Sequence, residues 1–104
     1  MSPKKEDYVI DGGVLHANKV MLHDQDLMFD AACNQLLECT EADLIVDLTN
    51  STYINSTYVG ILAATFFQAR ARNKTLRLRA STQVAQVLRA AGFEEFIPIE
   101  EVVA

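Results

Sequence analysis

Between residues 43 and 99 the hydrophobic pattern switches repeatedly between the period of a strand and the period of a helix. No other feature of the chain constrains its fold as much. Asp43-Leu44-Ile45-Val46-Asp47-Leu48 is a short, nearly continuous apolar run, the pattern of a strand covered on both faces. Val59, Leu62, Ala63, Phe66 and Arg70 then recur at helical spacing, and this helix ends near Asn73. Thr75-Leu76-Arg77-Leu78-Arg79-Ala80 alternates strictly and predicts a strand with one wet face. Ser81 is placed to cap a third helix with the stripe Val84, Val87, Leu88 and Ala91, and Gly92 stands where a left-handed residue closes it. Phe96-Ile97-Pro98-Ile99 predicts a last short strand, at a sheet edge because proline cannot donate to a ladder. Strands separated by helices join a parallel sheet through right-handed crossovers.

The first forty residues add a different unit. Tyr8-Val9-Ile10 and Val14-Leu15 flank Asp11-Gly12-Gly13, and Asp-Gly and Gly-Gly favour the positive φ angles of a tight hairpin. The second strand is expected to continue through Val20-Met21-Leu22, with Asn18-Lys19 as an alternative turn. From Asp24 or Asp26 as N-cap, Met28, Ala31, Ala32, Gln35, Leu36 and Cys39 recur at helical spacing. The predicted order is β-β-α-β-α-β-α-β. This is an α/β fold with a small mixed sheet, helices packed mainly on one face, and one exposed edge.

With 104 residues, half of them hydrophobic, the chain matches one globular domain spanning 1–104, with 1–7 expected to be a flexible N-terminus. No apolar run approaches the ~20 residues of a membrane span, and the start lacks a secretory h-region, so the expected location is cytoplasmic. The net charge of −5 argues against sequence-independent nucleic-acid binding, which draws its affinity from neutralised phosphates. Ten of the fourteen acids lie in residues 1–47, whereas Arg70, Arg72, Lys74, Arg77 and Arg79 fall within ten residues. These cations predict either a solvated helix end and strand or an anion- or partner-facing patch. Cys33 and Cys39, six apart with no CxxC or Cys/His cluster, predict two buried reduced thiols rather than a metal or redox site.

The polar stretch between the apolar run and the second helix carries the remaining information. Asp47 to Gly60 reads DLTNSTYINSTYVG, with Asn-Ser-Thr-Tyr at 50–53 repeated at 55–58. Ser56 falls where the chain enters a helix starting at about Thr57, so unpaired N–H groups and the helix dipole favour a negative charge there. Read from the residues alone, Ser56 is as well an N-cap, with Thr57 in the first turn. Tyr58 is read either as packing on Leu62 or as an aromatic anchor for a partner. Catalysis is not expected. No G-x-S-x-G elbow surrounds Ser56, no phosphate-binding G-x-x-x-x-G-K-[ST] occurs, and His16 and His23 stand in strand and cap positions. Asp47, at a strand end, lacks the acidic pair and later lysine of a phospho-accepting receiver.

This stretch resembles the central motif of the STAS domain, the family of bacterial anti-sigma-factor antagonists and of sulfate-transporter tails. The likeness runs without a gap from Leu44 to about Ile99. It includes Lys74-Thr75-Leu76-Arg77-Leu78, Val84, Val87-Leu88 and Ala91-Gly92-Phe93-Glu94-Glu95-Phe96. In that register Ser56 falls on the serine that partner kinases phosphorylate, Thr57 on the next Ser/Thr and Gly60 on the second glycine. Asn55 stands in place of the usual Asp, Tyr58 in place of the first Gly and Val59 in place of Leu, and the G-x-L-D signature is missing from Met21–Asp24. The resemblance implies a cofactor-free, non-enzymatic module that binds a serine-kinase anti-sigma factor or related regulator through Asn55, Ser56, Thr57, Tyr58 and Val59. Phosphorylation of Ser56, or secondarily Thr57, would release the partner by reversing local charge. It also implies an alternative, a non-switched scaffold or subunit of a stress-signalling assembly or of a lipid or anion transport system. Weak nucleotide binding by the Arg70–Arg79 segment, known in some members, is a third implication. Ser51, although its neighbours match those of Ser56, is expected in the loop leaving the third strand.

Overall fold

A computed structural model describes residues 8–17 and 26–103. The expected extension through Val20–Leu22, the Asn18-Lys19 turn, the Asp24 cap, His23 and the flexible 1–7 lie outside the described residues. Gly12 and Gly13 both take positive φ, 58° and 80°, and join β1 (Tyr8–Asp11) to β2 (Val14–Ala17) in an antiparallel pair. A side chain on Gly13 would press within 3.0 Å of Glu41 Cβ, so this turn needs glycine for space as well as for conformation. Then follow α1 (Asp26–Leu37), β3 (Asp43–Leu48), α2 (Ser56–Ala71), β4 (Thr75–Ala80) and α3 (Thr82–Ala90). A short 3₁₀ turn (Phe93–Glu95) leads into β5 (Ile99–Glu101). The sheet order is β1-β2-β3-β4-β5, with β2 through β5 parallel, so the expected α/β mixed sheet is the observed one.

Each crossover steps to the next strand in the same direction. A right-handed hand at every step therefore lays all three helices on the same face. The register carries the consequence. Leu15, Val46 and Leu78 lie side by side, as do Leu44 with Leu76 and Leu48 with Ala80, and all of them are buried beneath the helices. The alternate residues form a row across the opposite face, His16–Asp47–Arg79–Glu100, none of them buried. This corrects the expectation that β3 is covered on both faces. Its burial alternates, and Ile45 and Asp47 remain half-exposed because no helix layer lies on that side.

Two helices present different faces from those expected. In α1 the buried set is Phe29, Ala32, Cys33, Leu36 and Leu37, while Met28, Ala31 and Gln35 are exposed. The stripe is rotated by about one residue, and Phe29 becomes its anchor. In α2 the buried residues are Tyr58, Leu62, Thr65 and Ala69, with Val59, Ala63 and Phe66 at the margin. Phe29 and Tyr58 meet edge to face, centroids 5.4 Å apart, and join the two helices. In α3, Val84 and Leu88 are buried as expected, but Ala85 fills the third place and Val87 and Ala91 face solvent. Ser81 caps this helix, accepting from the Val84 N–H at 3.3 Å, and Gly92 is left-handed at φ 82°. The last strand begins at Ile99, later than expected, because the 3₁₀ turn occupies Phe93–Glu95. It does lie at the sheet edge.

Both cysteines are free thiols. Burial pushes the Cys33 thiol up to about 12, against a hydrogen bond with Thr65 that lowers it. Cys39 is only half-buried, just beyond the end of α1, which corrects the expectation of two buried thiols. A thiol reagent should therefore label one cysteine per native chain, Cys39, and both in denaturant, as a timed labelling experiment read by mass spectrometry would show. Leu62→Ala should lower stability by about 2–5 kcal/mol in a urea titration, since its side chain has no solvent exposure to lose.

Candidate functional site

The segment 49–55 crosses from the C-terminal end of β3 to the start of α2, and three sets of bonds shape it. Asp47 Oδ1 accepts from the Thr49 hydroxyl at 2.7 Å and from the Thr49 N–H at 3.0 Å, closing an Asx-type turn. The Ser51 N–H donates to the Leu48 carbonyl at 3.1 Å, and the Ser51 carbonyl accepts from the Ser81 hydroxyl at 2.6 Å. One hydroxyl thus caps α3 and ties down the loop before α2. Ile54 is buried in the core, and Asn55 Oδ1 accepts from the Tyr58 N–H at 3.1 Å as the N-cap of α2.

Asn55 is therefore the cap, and Ser56 is the first helical residue rather than the cap itself. An amide here keeps the capping bond that the family's carboxylate would make and drops its charge. Ser56 and Thr57 are both exposed, and among the described residues no group takes up either hydroxyl. The first turn of α2 carries no acidic residue. A negative group on either hydroxyl would sit at the positive end of a sixteen-residue helix. Val59 is half-buried beside them. Tyr58 is different. At 0% exposure its ring belongs to the core, so it takes the packing role, and the expected aromatic anchor is not offered at this surface. The identical neighbours of Ser51 and Ser56 also conceal opposite environments. Ser51 lies in the loop after β3 as expected, but it is fully buried.

The outer surface of α2 extends the site. Gly60, Ala64 and Phe67 are exposed along one side of the helix, and Arg70 is the first charged residue in it. Nothing lies within 4 Å of the position a Cβ would take on Gly60, so the helix backbone is open to approach there. Tyr53, in the loop, adds a half-exposed ring near the helix entrance. Sequence periodicity missed this surface. A helix apolar on nearly all sides offers no contrast by which to tell its inner face from its outer one.

On the far face of the sheet, His16 Nδ1 lies 3.3 Å from Asp47 Oδ2. Parallel pairing of β2 with β3 brings them together, a register that no local pattern announces. Partial burial pulls the Asp47 carboxyl up. The hydrogen bonds from Thr49 and the neighbouring His16 outweigh it and hold the carboxyl below its ordinary value of 3.8. The basic run is also resolved into parts. Arg72 Nη1 donates to the Leu37 carbonyl at 3.3 Å and pairs with Glu38 at 3.0 Å. Lys74 donates to the Cys39 and Glu41 carbonyls, and Arg79 pairs with Glu100. Among the described residues no three His, Cys, Asp or Glu side chains converge on a point that could hold a metal.

A depressed carboxyl stabilises the folded state above its unfolded value and loses that contribution as the pH falls through the folded value. Asp47→Asn should therefore unfold at lower urea than wild type at pH 7. The gap should narrow at an acid pH below that lowered folded value, where the Asp47 carboxyl has taken up its proton and both side chains are uncharged. Urea midpoints at the two pH values measure this.

Comparison with known proteins bears on the same residues. The family described as "Mlab, STAS domain" matches residues 9–101. No curated protein matches the chain. Among solved structures six chains match, one of them a Thermotoga maritima protein described as an anti-sigma factor antagonist. Its similarity has a TM-score of 0.71 at 15% identity, over 91% of this chain and 85% of that one. At that identity the likeness is one of fold, and it agrees with the mixed five-stranded sheet and helices described above. Among the described residues no helix is long and apolar enough to cross a membrane. The extent of the family match, over all five strands, identifies the chain as a member of the STAS domain family.

Proposed function

We propose that this chain is a regulatory protein-binding domain, without catalytic activity or cofactor, that docks a partner on the start and outer face of α2. The observation that carries the reading is the exposed Gly60, Ala64 and Phe67 surface, uncharged up to Arg70, on a helix already packed against the sheet by its other side. Solvent-facing helix surfaces are ordinarily charged or polar, and an apolar one is best accounted for by a partner that covers it. Asn55, Ser56, Thr57 and Val59 border that surface at its N-terminal end. Tyr58 supports it from beneath rather than contributing its ring.

The partner that family resemblance and fold favour is a serine-kinase anti-sigma factor or a related regulator. Ser56 is its switch, with Thr57 the second choice. A phosphate on Ser56 would be held by the unpaired N–H groups of the first turn and by the helix dipole, at little cost to the domain. The same phosphate would place nearly two negative charges against an otherwise uncharged contact surface, and the partner would leave.

A second reading, a constitutive STAS scaffold or subunit without a phosphorylation cycle, draws on Asn55 and Tyr58. Both serve the packing of α2 directly, one as cap and one as core residue, and neither needs a kinase to explain it.

Binding of the purified partner to the unmodified chain, measured by titration calorimetry, separates the two. Ser56→Asp should weaken it at least tenfold, about 1.4 kcal/mol. Thr52→Asp is the matched control, exposed in the same loop and preceding helix α2, and should stay within about threefold. Ser51→Asp is unsuitable as a control, because it places a charge in the core. Loss with Ser56→Asp alone supports the switch, and no loss with either substitution supports the scaffold.

A further inference from the structure

The five cations between residues 70 and 79 are of two kinds. Arg72, Lys74 and Arg79 hold carboxylates or backbone carbonyls, whereas Arg70 and Arg77 make no ion pair and no side-chain hydrogen bond among the described residues. Both of the unpaired guanidinium groups border an open groove of about 580 Å³ between the C-terminal half of α2 and the segment before β5. Its apolar lining is Phe66, Leu76, Phe96 and Pro98. Asp43 also reaches the groove, but its carboxylate accepts from the Thr75 hydroxyl.

We propose that this groove binds an acidic segment of a partner protein chain, anchored by an aromatic or aliphatic side chain. Charge complementarity selects the acidic partner. The protein as a whole carries −5, yet here two unpaired arginines flank an apolar floor, and guanidinium groups take carboxylates bidentately. The extent of the apolar surface selects a chain over a compact ligand. Phe67 is 59% exposed and Phe96 42%, and their rings stack with centroids 6.4 Å apart and planes 16° from parallel. Phe66 and Phe93 lie against Phe96 from beneath, at 5.3 and 5.4 Å, so the exposed pair is backed by a fixed aromatic cluster rather than free to turn inward. Contact surface thus continues past the groove along α2. Ser56 is eleven residues from Phe67, about 16 Å along the helix, so this site neither requires nor contradicts a switch at Ser56.

Selection of a random dodecapeptide phage library on the immobilised protein tests the proposal, with fluorescence polarisation of the recovered peptides as readout. Recovered sequences should place Asp or Glu around a Phe, Trp or Leu. Their affinity should fall at least tenfold on the Arg70→Glu/Arg77→Glu variant and at least fivefold on Phe67→Ser, and should stay within twofold on Thr52→Asp, exposed in the loop before α2. All four substituted positions are solvent-exposed, and matching melting temperatures would confirm that the variants fold. If the double variant does not fold, Arg70→Gln and Phe67→Ser give the same reading singly. Neutral or basic recovered peptides, no enrichment, or equal binding to the variants would overturn the proposal. So would displacement of the peptide by dodecanoate at lower concentration than by unlabelled peptide, which would make the groove a site for anionic amphiphiles. A concentration-dependent dimer abolished by Phe67→Ser would instead assign the surface to a second copy of this chain.

Discussion

The handedness of three successive crossovers governs this structure. Each parallel connection turns the same way and moves to the next strand, so all the helices lie on one side and the sheet has one dry and one wet face. The dry face is a continuous pavement of Leu15, Leu44, Val46, Leu48, Leu76, Leu78 and Ala80, on which Phe29, Leu62 and Leu88 rest. The wet face carries polar pairs in register, His16 with Asp47 and Arg79 with Glu100, on a surface that water reaches. A helix layer on that face would have required an apolar residue in place of Asp47.

Helix α2 is the element in which core packing meets the proposed docking surface. Tyr58, Leu62, Thr65 and Ala69 occupy one side, and because they are spaced four, three and four residues apart they fix the rotation of the helix completely. Once that rotation is fixed, Ser56, Gly60, Ala64 and Phe67 have nowhere to point but outward. Asn55 fixes the start of the helix as Tyr58 fixes its roll. The buried tyrosine and the exposed serine two residues before it are consequences of the same geometry. A tyrosine in place of glycine therefore does not close the surface, since its ring leaves through the back of the helix.

The charges follow a comparable division of labour. Arg72 and Lys74 reach back some thirty-five residues in sequence to carbonyls at the end of α1 and in the loop after it, Leu37, Cys39 and Glu41. Arg89 pairs with Glu94 and Glu101 and links α3 to the edge strand. The ion pairs among these contacts lie near the surface and are individually weak, yet with the carbonyl bonds they tie helix ends to neighbouring elements. Arg70 and Arg77, sharing the same stretch of sequence, hold no side-chain partner among the described residues.

The alternation of periods in the sequence determined the element order, the α/β class and the parallel pairing, because strands and helices bury their apolar residues with different and separable spacings. It determined the Gly12-Gly13 hairpin, the Ser81 cap and the left-handed Gly92 for equally local reasons, and the DLTNSTYINSTYVG stretch marked the candidate site. Tertiary structure alone decided which side of α1 and α2 turns inward, since both helices have more apolar residues than one face can bury and only shape complementarity with Phe29, Tyr58 and the sheet selects among them. It alone decided that Ser51 is buried and Ser56 exposed within identical Asn-Ser-Thr-Tyr strings, that His16 meets Asp47, and which arginines remain unpaired. Those outcomes depend on strand register and on contacts between residues far apart in the chain, and a local pattern carries no information about a neighbour that only folding brings near.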